Sequence, residues 1–117
     1  MRRDFIAALS LAALVGISAA ATPPKAATVI LVVGDSLSAE YGLQRGSGWV
    51  ALLDARLKAE KLNATVVNAS ISGDTTAGGQ SRLGCLLAQH KPSHVIIELG
   101  GNDALRGLPL QMTQDKL

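Results

Sequence analysis

The stretch Thr28-Val-Ile-Leu-Val-Val-Gly-Asp-Ser36 decides the fold. Its first six residues are β-branched or aliphatic, with no alternation of polar and apolar positions. A strand with one wet face alternates, whereas a strand covered on both faces does not. Runs of this kind are characteristic of parallel sheets packed between helices. The run ends in Gly34-Asp35-Ser36, small residues that predict a tight turn, with Gly34 permitting it.

Towards the C-terminus, Leu43 to Gly48 predicts a loop, and Ser47 predicts the cap of a helix running to about Lys61. Trp49, Leu52, Leu53 and Leu57 fall on one face of that helix by the 3.6-residue period. Thr65-Val-Val-Asn68 predicts the second strand. A loop through Gly73 follows, then a second helix capped by Thr75 or Thr76. Gly78 and Gly79 weaken the first turn of that helix, Leu83, Leu86 and Leu87 form its apolar stripe, and Pro92 stops it. His94 to Leu99 predicts the third strand, closed by Gly100-Gly101, and another helix begins near Leu110. The only cysteine, Cys85, lies among the leucines of the second helix and is expected to be a buried thiol. Strands alternating with helices predict an α/β fold: a parallel sheet with right-handed crossovers and helices on both faces. Ligands then bind beyond the carboxyl ends of the strands.

Towards the N-terminus, residues 22–27 (Thr-Pro-Pro-Lys-Ala-Ala) predict a short extended linker. Before it, Arg2 and Arg3 supply a positive start, Phe5 to Val15 an apolar run and Ala19-Ala20-Ala21 a small-residue cleavage pattern. Residues 1–21 therefore predict a signal peptide cut after Ala21, and a periplasmic or secreted protein. The rival reading, a membrane-anchoring helix, suits the sequence less well. The run sits near the lower length limit for a span, and no stop-transfer pattern follows it.

The chain has 117 residues, enough for one domain. Its aromatic residues are Phe5, Tyr41 and Trp49, so its core is expected to be aliphatic. The formal charge is +2, and without Arg2, Arg3 and Asp4 nine basic residues face eight acidic ones. That balance excludes nucleic acid as a partner. No basic run marks an anionic membrane.

The chemistry-bearing residues collect at the three predicted strand ends. Ser36 follows a buried strand on a tight turn, where its hydroxyl is exposed and its own N–H can stabilise an oxyanion. Gly73 can bring a backbone N–H close to a substrate oxygen. Asn102, after two glycines, can donate from its side-chain nitrogen. Each segment taken alone is also compatible with an ordinary turn or cap, and the segment through Gly73 by itself reads more simply as a turn. Past Asn102, Leu105, Leu108 and Leu110 put large aliphatic side chains on a loop beside the proposed site. There they meet either the domain core or the acyl chain of a substrate.

Together the three segments resemble a known family. Gly34-Asp-Ser-Leu-Ser38, Asn68-Ala-Ser-Ile-Ser-Gly-Asp-Thr75 and Gly100-Gly-Asn-Asp103 are similar, in order and spacing, to the first three sequence blocks of the SGNH, or GDSL, hydrolases. The likeness is to that family's bacterial periplasmic thioesterase, lysophospholipase and arylesterase branch, and runs from about Thr28 to Leu117. The resemblance implies a flavodoxin-like three-layer α/β/α sandwich with a five-stranded parallel sheet. It implies Ser36 as nucleophile and the Ser36 N–H, Gly73 N–H and Asn102 side chain as oxyanion hole. It implies a small acyl ester or thioester substrate, and neither metal nor organic cofactor.

The family's later Asp-x-x-His block, which supplies the base, has no counterpart here. The two histidines, His90 and His94, flank Pro92 at a helix end and a strand start, remote from Ser36. The chain therefore reads as a front half, truncated after about three strands, inactive by itself, with its third strand as an open edge. A non-catalytic remnant or binding module with the same beginning is the alternative. A nucleotide binder is disfavoured, because no Gly-x-Gly-x-x-Gly or Walker pattern follows a strand.

Overall fold

The computed structural model describes residues 20–22 and 25–117. The predicted signal segment falls almost wholly on residues outside these, as do Pro23 and Pro24 of the predicted linker. The elements are β1 (Thr28–Gly34), α1 (Trp49–Ala59), β2 (Ala64–Asn68), α2 (Thr76–His90), β3 (His94–Glu98), α3 (Gly101–Leu105) and α4 (Leu110–Lys116). The three strands form one parallel sheet in the order β2-β1-β3.

The continuous apolar run forms the central strand. Ile30 sits between Val66 and His94, and Leu31 between Val67 and Val95. Leu31, Val32 and Val33 are buried, and with Val50 of α1 they make an aliphatic core. The two faces of β1 have different partners. Val33 and its neighbour Ile97 line a cavity with Thr76, Gly79 and Leu83 of α2. Thr28 and Ile30 line another with Leu57 of α1. Successive strand side chains point to opposite faces, so α1 and α2 cover opposite sides of the sheet, as the alternating pattern predicts. α4 packs on α2. Among the described residues β3 pairs only with β1 and is an edge, with Val95 and Ile97 partly exposed.

Several local expectations need correction. Ser47 does not cap α1: its hydroxyl donates to the Gln44 carbonyl at 2.6 Å, and the capping position is Gly48. The free amides there are held by Glu40, whose carboxylate accepts the N–H groups of Gly46 at 3.0 Å and Gly48 at 2.9 Å. The buried face of α1 is centred on Val50 rather than on Trp49 and Leu52, and Leu52 is 60% exposed. Trp49 is drawn to the rim of the sheet by its indole N–H, which donates to Ser38 Oγ at 3.0 Å. Cys85 is exposed, not buried, and Leu87 leaves the apolar stripe to lie 40% exposed. α2 ends at Lys91, in the left-handed conformation with φ 44°, immediately before Pro92. The segment after Gly100, expected as a loop, contains α3.

Gly34 belongs to β1, paired with Glu98, rather than to the turn. It has no side chain because a Cβ there would lie 2.7 Å from Ser38 Oγ and 2.8 Å from Ser38 Cβ. The glycines of α2 weaken its first turn but let it close on the sheet. A Cβ on Gly79 would come within 2.3 Å of Leu99 Cδ1.

Candidate active site

Among the described residues, α1, α2, α3 and α4 begin at the carboxyl edge of the sheet, and the strand ends meet there. After β1 the chain turns sharply. The Asp35 carbonyl accepts the N–H groups of Ser38 at 3.2 Å and Ala39 at 2.9 Å, while Asp35 Oδ1 accepts that of Leu37 at 3.0 Å. Ser36 sits half-buried at this turn, between buried Asp35 and exposed Leu37. Ser38 fixes the turn from below. Its hydroxyl, buried, donates to Glu98 Oε1 of β3 at 2.7 Å, and its carbonyl accepts from Asn68 Nδ2 of β2 at 2.7 Å.

The second strand end is led along β1 rather than away from it. Ala69 N–H donates to the Val32 carbonyl at 2.8 Å and Ile71 N–H to the Gly34 carbonyl at 2.9 Å. This delivers Gly73 with φ 81°, a left-handed conformation that favours glycine, into open space where a Cβ would meet nothing within 4 Å. Asp74 is tied back by Arg82, whose Nε donates to Oδ2 at 2.9 Å. Nη2 lies 2.8 Å from the same oxygen without making a hydrogen bond. Thr75 caps α2, its hydroxyl accepting from Gly78 N–H at 3.2 Å.

Asn102, on α3, joins the other two. Its Nδ2 donates to the Asp74 carbonyl at 2.9 Å and lies 3.4 Å from Asp35 Oδ2. The first contact is a normal hydrogen bond and the second is long and weak, so one N–H of this amide remains available to a better acceptor. Among the described residues, neither the Ser36 nor the Gly73 backbone N–H has a hydrogen-bond partner. Three donors from three segments are thus gathered at one edge. Arg106 adds a link, its Nη2 donating to the Gly73 carbonyl at 2.9 Å. Of the three leucines, Leu108 is half-buried, whereas Leu105 and Leu110 are 85% and 81% exposed.

Two acidic residues that the motifs did not single out organise this edge. Asp103 is 2% exposed, and its oxygens accept the Thr76 N–H at 2.9 Å, the Thr76 hydroxyl at 2.6 Å and the Thr113 hydroxyl at 3.2 Å. The Thr76 hydroxyl, followed by the Thr76 N–H, holds its carboxyl below the usual range, against the opposing effect of burial. Glu40 is likewise held low, chiefly by the Gly46 amide and then by that of Gly48. Asp103 acts across twenty-seven positions, and Glu40 closes an irregular loop at separations of six and eight, so no regular spacing announces either. His90 and His94 lie at the amino edge of the sheet, as expected. Among the described residues, no group of three or more His, Cys, Asp or Glu side chains is arranged to hold a metal ion.

Comparison with known proteins agrees with this architecture. Residues 32–117 match the GDSL-like Lipase/Acylhydrolase family. Esterase TesA of Pseudomonas aeruginosa is 59% identical over 95 residues, which is 80% of this chain and 47% of that protein. Thioesterase 1/protease 1/lysophospholipase L1 of Escherichia coli is 49% identical over 92 residues, covering 79% of this chain and 43% of that one. Among solved structures, the psychrotrophic esterase EstA from Pseudoalteromonas sp. shares 50% identity and a TM-score of 0.72, over 76% of this chain and 49% of that one. The chain spans about half the length of these relatives. With a parallel α/β sheet, three converging strand ends and this match, the chain belongs to the GDSL-like lipase/acylhydrolase family.

Proposed function

We propose that this chain carries the nucleophile and the oxyanion-binding groups of a carboxylic ester hydrolase acting on acyl esters or thioesters. The observation that carries the reading is the meeting of the turn at Ser36, the open glycine at Gly73 and the amide of Asn102, with one amide hydrogen weakly engaged. The Ser36 hydroxyl attacks the acyl carbonyl carbon, and its proton passes to a base. The carbonyl oxygen becomes an oxyanion that receives the N–H groups of Ser36, Gly73 and Asn102. Collapse expels the alcohol or thiol, which takes up the proton, and water then releases the acid from the acyl-serine. Donors aimed at charge that develops only in the transition state lower the barrier without tightening substrate binding. The names of the relatives, esterase and thioesterase/lysophospholipase, support this class. So does the inhibition of EstA by monoethylphosphonate, since a phosphonate presents a tetrahedral centre like that of the intermediate.

Neither histidine is placed to serve as that base. His94 begins β3, and the strand separates it from the site edge by about 13 Å, while His90 ends α2 on the same far side. A serine hydroxyl without a base is a poor nucleophile, so the 117-residue chain alone is expected to give only background turnover. Fusing it to the C-terminal half of Pseudomonas aeruginosa esterase TesA tests the proposal. Aryl-ester hydrolysis should appear in the fusion and vanish with Ser36→Ala. Activity that survives Ser36→Ala, or a well-folded fusion with none, would favour a binding module instead. Export to the periplasm or beyond, with a mature start at Thr22, belongs to the same reading.

Leu105, Leu108 and Leu110 give this edge an aliphatic border suited to an acyl chain, with Gly107 between them in a left-handed turn of φ 67°. Each methylene buried there adds up to about 0.8 kcal/mol. The fusion is therefore expected to prefer medium or longer acyl esters over acetyl esters. Leu108→Ser should flatten kcat/KM against chain length while sparing acetyl hydrolysis. A profile that falls from acetyl upward would overturn this part.

A further inference from the structure

The most buried ionisable group near the site is one that the proposed chemistry leaves idle. Asp103 follows Asn102 on α3 and turns away from the strand ends into the protein. All three groups that meet its oxygens can donate: the Thr76 N–H, the Thr76 hydroxyl and the Thr113 hydroxyl. An ionised carboxylate is acceptor-only, and so matches this set without a conflict. Among the described residues no cation pairs with it. Its charge is instead met by the start of α2. Thr76 is the first residue of that helix, and its N–H is one of those left without an intrahelical partner. A negative charge there also meets the positive end of the α2 macrodipole. Asp103 thus docks a helix of five residues, too short to hold its own orientation in water, onto the end of one of fifteen.

Asn102 rides on that short helix. Two further side-chain ties join α3 and its C-cap to the loop before α2: the bond of Asn102 itself to the Asp74 carbonyl and that of Arg106 to the Gly73 carbonyl. Thr113 adds a second brace from α4. Its hydroxyl reaches Asp103, and its methyl stands where a Cβ on Gly100 would lie 3.6 Å away. We propose that Asp103 is the positioning residue for Asn102: through Thr76 and Thr113 it references the oxyanion donor to α2 and α4, without touching substrate. This rests on the hydrolase reading for its catalytic consequence, but not for its geometry.

The magnitude follows from what misplacement costs. Losing an oxyanion donor outright lowers kcat about 10²–10³-fold, and a shift of about 1 Å is worth up to about 10². In the active fusion, Asp103→Ala should therefore lower kcat about ten- to a hundred-fold per competent site, counted by phosphonate titration, with KM little changed. Asp103→Asn should recover most of the loss. Its amide nitrogen would take the place of Oδ2, where both threonine hydroxyls can reverse to accept, while its oxygen keeps the Thr76 N–H.

The decisive arm is the Asn102→Ala background. If Asp103 acts through Asn102, Asp103→Ala adds nothing further there. A full additional loss in that background, or a loss that appears only in the number of titratable sites, would overturn the proposal.

A second measurement needs no activity. In the 117-residue chain, the side-chain amide signals of Asn102 in a proton–nitrogen correlation spectrum should move with Asp103→Ala and Thr113→Val and stay in place with Glu60→Ala at the C-terminal cap of α1. Unmoved Asn102 signals in Asp103→Ala would also overturn the proposal. Failure of the hydrolase reading would look different: Ser36→Ala would leave turnover intact while the Asn102 signals still followed Asp103.

Discussion

The two ends of the same three-stranded sheet are built by different rules. At the amino edge, polar contacts are exposed and mostly serve the backbone. Ser93 Oγ accepts the Val29 N–H at 3.0 Å, and the Thr28 N–H donates to the Asn63 carbonyl at 2.9 Å. His90, Lys91 and His94 there take no part in any buried network. At the carboxyl edge, side chains bind side chains across elements and out of water: Ser38 to Glu98, Thr76 to Asp103, Arg82 to Asp74. Burying a polar group costs several kcal/mol unless it is matched, and the sheet is held without it, as the amino edge demonstrates. A fold that accepts this cost at one end only has a use for fixed polar groups there.

The contrast between the ends can be broken most forcefully at Ser36. In the active fusion, Ser36→Ala should reduce kcat on the order of 10⁶-fold, the scale seen when a catalytic serine is removed. The matching change at the other end, His90→Gln with His94→Gln, should leave turnover unchanged. A loss in the histidine double variant would mean that the amino edge is not the inert end. Next comes the donor. Asn102→Ala should lower kcat about 10²–10³-fold with KM nearly constant. Normal kcat with a raised KM would move Asn102 from charge stabilisation to substrate binding.

Stability sharpens the same comparison within one helix. Gly79, where α2 meets the carboxyl edge, has Leu99 in the way of a side chain, whereas Gly84, further along, has nothing within 4 Å. Gly79→Ala should destabilise the chain by about 1–3 kcal/mol through overpacking. Gly84→Ala should stabilise it by up to about 1 kcal/mol through helix propensity. Urea unfolding monitored by circular dichroism reads both signs, and equal effects would mean that the first turn of α2 is not closely packed.

The smallest effect is a pH dependence. The carboxyl of Asp103 is held below its ordinary value by Thr76, so its contribution is present above the unfolded pKa of about 3.9 and fades as the pH falls through the lower folded value. Thr76→Val should soften that acid limb and leave the neutral region with a shallower slope towards acid. An unchanged acid limb would show that other carboxylates govern it.

What the sequence made legible was local. The buried strand is written in six consecutive residues, and the Thr75 cap lies three residues before the amide it accepts. The three site segments stand out because strand ends in a parallel sheet must meet. What stays hidden follows no regular spacing. Glu40 reaches forward to Gly46 and Gly48 through a left-handed residue that nothing in its neighbours demands. Asp103 finds Thr76 twenty-seven positions back. The stripe of α1 misleads because Trp49 counts as apolar in a periodicity although its indole nitrogen has a specific partner. Cys85 has leucine neighbours, but they do not share one buried face, and Leu87 also lies exposed. α3 has no sequence signal because two glycines precede it, and its hold is the carboxylate of Asp103, not its own propensity.

Trp49 has one more consequence. It is the chain's single tryptophan, and its indole N–H is bonded to Ser38, two positions from Ser36. Intrinsic fluorescence of this protein is therefore a local signal from beneath the serine turn, undiluted by other indoles. An emission shift on adding a phosphonate, or on completing the domain, would report rearrangement of that turn in real time, without any label.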